Sequence, residues 1–74
     1  MREGVLVNEV DSDRLCICYG VDDYGDGLHC GECLDVLVGD EWMPSRIEFA
    51  HGAGGGWYLV GVKARNLTGL RVRQ

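Results

Sequence analysis

The sequence predicts an all-β domain, with five or six short strands forming a small, partly open antiparallel barrel. Three observations predict it. Apolar residues alternate with period two in several short runs, and no segment keeps a 3.6-residue period over ten or more positions. Twelve glycines punctuate 74 residues at short intervals, as turns between short strands require. A barrel also removes the exposed strand edges that five or six separate strands would otherwise leave.

The elements follow in order. Val5-Leu6-Val7, running into Asn8-Glu9-Val10, reads as a first strand. Asp11-Ser12-Asp13 is a turn cluster, because these side chains satisfy turn amides locally. Residues 15–19 form the next strand and pair back as a hairpin. Its alternation places Leu15, Ile17 and Tyr19 on one face and Cys16 and Cys18 on the other. With the Leu/Ile/Tyr face inward, both thiols point outward together, an unusual arrangement for unligated cysteine.

Residues 20–27 (GVDDYGDG) form an acidic, glycine-rich loop in which Tyr24 is a lid or a contact. The spacing does not match a calcium loop. A Cys30-Gly31-Glu32-Cys33 knuckle then leads into the alternation Leu34, Val36, Val38, a Gly39-Asp40 turn, and a second extended segment over residues 41–49. In that segment Met43, Ser45, Ile47 and Phe49 share one face, and Trp42, Pro44, Arg46 and Glu48 the other. Pro44 cannot donate to a ladder and so marks an edge, bulge or strand start. Trp42 and Arg46 on one face suggest a stacked pair or a binding patch. Residues 50–56 (AHGAGGG) are a flexible turn carrying a solvated His51. Residues 57–62, apolar on both faces, suggest a central or doubly covered strand. Residues 67–72 close the chain, with Leu70 and Val72 inward and Arg71 and Arg73 outward.

Residues 1–74 read as one domain, of a size at which a core alone is often marginal and a staple is common. Four cysteines can supply it as two disulfides or one metal site. The sequence shows no signal-peptide pattern and no apolar run of membrane-spanning length, so a reducing interior is expected and zinc is favoured over disulfides. Cys16, Cys18, Cys30 and Cys33 are thus the expected ligands of one structural zinc ion, with His29 as substitute. Four thiolates would close the site to substrate. No strand–glycine loop–helix phosphate cradle and no thioredoxin-like context for the Cys-x-x-Cys pair appear, so no enzymatic activity is expected.

Charge is uneven. Residues 1–41 hold eleven carboxylates against Arg2 and Arg14, while residues 42–74 hold Glu48 against Arg46, Lys63, Arg65, Arg71 and Arg73. The net charge of −5 disfavours direct nucleic-acid binding and suits a protein partner with a basic surface. Asp22, Asp23 and Asp26 around Tyr24 are the expected partner-binding residues, since loop side chains are least needed for packing. A monomer is expected.

The pattern Leu28-His29-Cys30-Gly31, Leu34-x-Val36, Trp42-x-Pro44-x-Arg46-Ile47-Glu48, Trp57-Tyr58-Leu59 and Gly69-Leu70-x-Val72 resembles a family of small domains of unknown function. That family occurs in mobile elements and phages of Gram-positive bacteria. The resemblance covers residues 4–73 and implies an SH3-like barrel in the bacterial cytoplasm. Cys16 and Cys18 fall outside the resembled pattern, so the zinc reading is particular to this chain. In size, acidity and metal knuckle the chain is also similar to small anti-CRISPR proteins. This implies an inhibitor that occupies a basic groove of a type II RNA-guided nuclease. The alternative is a structural or regulatory adaptor of a phage or mobile element that binds a protein or peptide.

Overall fold

A computed structural model describes all residues, 1–74. Seven strands form: β1 (Glu3–Asn8), β2 (Leu15–Gly20), β3 (Asp23–Tyr24), β4 (Cys33–Val38), β5 (Glu41–Ala50), β6 (Gly56–Leu59) and β7 (Arg71–Arg73). They lie in one antiparallel sheet ordered β3-β2-β1-β7-β4-β5-β6. The strand count exceeds the expected five to six because two residues of the acidic loop pair with β2, Tyr24 opposite Cys18 and Asp23 opposite Gly20. No helix is long and apolar enough to cross a membrane.

Register explains which side chains meet. Leu6 lies opposite Ile17, Gly4 opposite Val72, Val72 opposite Val36, and Ile47 opposite Leu59. Directly opposed residues share a face, so these positions form one continuous apolar inner surface. Leu6, Ile17, Val36, Ile47, Leu59 and Val72 are all essentially inaccessible, and Leu15, Leu28 and Leu34 complete the cluster. The sheet curls around this core. The Trp57 indole on β6 donates to the Asp13 carbonyl in the β1–β2 turn at 2.7 Å, bringing one end of the strand order over toward the other. Edge strands β3 and β6 are not paired with each other, so the sheet stays open.

The chain must cross from each edge strand, β3 and β6, to an interior strand, β4 and β7, to follow this order. Residues 25–32 make one crossing. Gly25 and Leu28 donate to the carbonyls of Ile17 and Leu15, and Leu28 drops into the core. Residues 60–70 make the other, with Val62, Leu67 and Leu70 packed against the core. Leu6 and Gly69 there exchange backbone bonds with the β1 and loop carbonyls: Leu6 donates to Leu70, and Gly69 to Leu6.

Two strand assignments change. The stretch over residues 57–62 is not a doubly covered strand but a short edge strand ending at Leu59. Gly61 takes a left-handed φ of 78° that turns the chain, and Tyr58 and Val60 are exposed. The final strand begins at Arg71 rather than at residue 67, because the Asn66 side chain accepts from the Thr68 amide and holds the preceding residues in a turn. Pro44 sits opposite Asp35 within β5, beyond the end of β6, so no strand on that side needs the amide it lacks.

Candidate functional site

The four cysteines are distributed over two elements that the sheet holds apart. Cys16 and Cys18 lie on β2, opposite Val7 and Val5, on the outer face as the alternation requires. Cys33 begins β4, and Cys30 lies in the turn before it. Strands β1 and β7 stand between β2 and β4. No three His, Cys, Asp or Glu side chains gather closely enough to hold a metal. The structure does not gather the two cysteine pairs as four ligands of one ion. Alternation does not reveal strand order, which places β1 and β7 between the strands that carry the two pairs.

The two pairs also differ in environment. Cys16 is 4% exposed, and its thiol pKa is pushed above the ordinary value by burial first, then by the charges of Glu9 and Cys18. Cys18 donates to the Gly20 carbonyl at 3.2 Å. Cys30 and Cys33 are exposed and unbonded to each other. Their turn is closed by the Glu32 amide donating to the His29 carbonyl at 3.1 Å, with Gly31 at φ 90°, a conformation natural only to glycine. It is fastened to β5 in both directions, Gly31 donating to Ile47 and Ile47 to Glu32. The exposed His29 is bound through its backbone, its amide donating to the Glu32 carboxylate at 2.9 Å.

The acidic loop forms an exposed edge. Asp22 has φ 56°, tolerable for an aspartate, and directs the chain into β3. Tyr24 is 60% exposed on that edge strand. Asp23 is paired with Arg2 across the sheet end, and Asp22 and Asp26 have no ion-pair partner. Val7, Val10, Cys16 and Tyr24 line a shallow groove of about 420 Å³, with Glu9 at its rim. Gly27 lies so close to the Glu9 carboxylate that an added Cβ would come within 2.7 Å of it. The β1–β2 turn, which carries Asp11 and Asp13, therefore adjoins the loop that carries Asp22 and Asp26. Sequence reading found the loop but missed this second acidic segment, which only the strand pairing brings alongside.

The basic half of the sequence does not make a basic half of the surface. Arg71 pairs with Glu3 at 3.3 Å, Arg73 with Asp35 at 2.9 Å, and Arg46 with Glu48 at 2.7 Å. Arg73 also stacks on the Trp42 ring, 4.5 Å from its centre, where Arg46 was expected. The reason is β7, which carries Arg71 and Arg73 between the acid-bearing strands β1 and β4. Only Lys63 and Arg65, in the loop after β6, lack an ion pair among the five C-terminal cations.

These features define a small, all-β, open-sheet domain with an acidic edge. The chain belongs to the family described as a domain of unknown function, DUF5348, whose model matches residues 4–74. It is similar to a protein from Ruminococcus gnavus of known crystal structure, with 45% identity and a TM-score of 0.87 over 99% of this chain and 100% of that one. No curated protein matches.

Proposed function

We propose that this domain is a non-catalytic protein-binding module that presents its acidic edge to a partner with a basic surface. One observation carries the reading. An aromatic side chain, Tyr24, stands 60% exposed on an edge strand between the unpaired carboxylates of Asp22 and Asp26. A large exposed aromatic framed by like charges suits an anchor with an electrostatic rim. The neighbouring groove and Glu9 extend the same character onto the outer face.

The module reading covers two biological forms, an adaptor of a phage or mobile element and an inhibitor of a type II RNA-guided nuclease. In both, carboxylates steer approach to a basic protein groove. A paired affinity-capture experiment tests the module. Wild-type bait is compared with bait carrying Asp22→Asn, Tyr24→Ala and Asp26→Lys. The expected result is loss from the variant of a basic protein that wild type retains at low salt and releases as salt rises. Truncating Tyr24 alone should weaken that contact by about 2 kcal/mol. Identical capture by both baits would overturn the reading. The inhibitor form is separated by a DNA-cleavage assay with a type II effector nuclease. Cleavage unaffected by a molar excess of the domain removes that form and leaves the adaptor.

A further inference from the structure

The Cys30-Gly31-Glu32-Cys33 turn has the means to bind metal but only half the ligands. Both thiols are exposed, whereas Cys16 is buried and Cys18 only half-exposed, so the most accessible soft donors of the chain are Cys30 and Cys33. The turn is preset. Gly31 holds the left-handed conformation, the His29–Glu32 hydrogen bond closes it, and the bonds between Gly31, Glu32 and Ile47 fasten it to β5. Cys33 Sγ folds back over the turn, 3.9 Å from the Gly31 carbonyl oxygen. Two thiolates spaced Cys-x-x-Cys on a rigid turn supply two corners of a tetrahedral zinc site. His29 and Glu32 flank them, yet the Glu32 carboxylate is engaged by the His29 amide and no third ligand gathers in this chain. Cys33 opens onto the same shallow surface as Ser45 and Arg46, so a cation stands beside the place where thiolate charge would build up.

From this geometry we propose that Cys30 and Cys33 form a zinc half-site, completed by the same two cysteines of a second copy of this chain. One ion then joins two domains through four thiolates. The exposed position of the turn lets two copies approach it, and two-fold pairing makes the two half-sites equivalent. Four protons leave the thiols as the zinc–sulfur bonds form, and nothing is oxidised or reduced. The inference is independent of the acidic-edge reading, which involves β3 at the far end of the strand order.

The test is titration of the reduced, full-length chain with zinc alone, followed by metal analysis and sedimentation. The expected result is about half a zinc ion per chain. It should be accompanied by a rise in mass from 8.1 kDa to about twice that, reversed by chelator. Cys30→Ser and Cys33→Ser should each abolish both effects, and Cys18→Ser neither. Cobalt substitution of the unmutated chain gives a reading that does not depend on a variant's folding, since four-thiolate coordination has its own absorption bands. One zinc per monomeric chain would overturn the proposal, as would dependence on Cys18, zinc uptake without dimer formation, or no uptake at micromolar metal.

Discussion

Cys16 shows how a single position can be polar by name and apolar by use. It faces outward by alternation, yet only 4% of it is accessible where it lines a groove with Val7, Val10 and Tyr24. Burial disfavours its thiolate, and Glu9 and Cys18 add to the effect, so its pKa lies above the ordinary value of 9.0. In the unfolded chain the thiol returns to that ordinary value. The folded state therefore holds this proton more tightly, and the stabilisation is present below pH 9 and lost as pH rises toward the folded pKa. Alkylation by iodoacetamide at pH 8, followed by mass spectrometry, should modify Cys30 and Cys33 first and Cys16 last. The fall in unfolding midpoint between pH 8 and 10 should be shallower in Cys16→Ala than in wild type. Early alkylation of Cys16 would mean that the groove does not cover it.

At the scale of elements, the hairpin β1–β2 depends on one close approach. A Cβ on Gly4 would lie 2.5 Å from both the Cys18 carbonyl oxygen and Ile17 Cγ2. Gly4→Ala would gain a few tenths of a kcal/mol to about 1 kcal/mol from a less free unfolded chain. Overpacking against a backbone atom costs about 1–3 kcal/mol, and here the obstacle cannot rotate away. The clash should win, lowering the melting temperature by about 10 °C in a domain of this size. An unchanged melting temperature would show that the two strands are not held this tightly. Much at this scale was legible from pattern alone. The faces of β2, the Gly39-Asp40 turn and the split of β5 into an Ile47 face and an Arg46 face follow from period two. The ends of β6 and the start of β7 were not legible, because they depend on left-handed and side-chain-closed turns whose residues also occur in ordinary strands.

For the molecule as a whole, the hardest property to read was strand order. Alternation says which face a residue takes but not which strand lies beside it. That order decides the candidate site: β7 inserts between β1 and β4, parts Cys16 and Cys18 from Cys30 and Cys33, and brings Arg71 and Arg73 to Glu3 and Asp35. The acidic loop was legible as a site because its composition needs no neighbour to be recognised. Its acidic companion, the β1–β2 turn, was not. The insertion of β7 also places the two ends of the chain side by side, the Arg2 and Gln74 backbones exchanging hydrogen bonds at 3.0 and 3.1 Å. In the natural connectivity this central pairing closes the longest loop of the fold. A circular permutant that joins Gln74 to Arg2 through a short turn and opens within the exposed residues 63–65 would convert it into a local hairpin while keeping the β5–β6 hairpin local. Every native strand pair would survive, and the mean sequence separation of contacts would fall. Topology rather than stability governs the speed of such small domains. The permutant should therefore refold several-fold faster in stopped-flow measurements while keeping an unfolding midpoint close to wild type, and equal refolding rates would show that the β1–β7 pairing is not formed in the rate-limiting step.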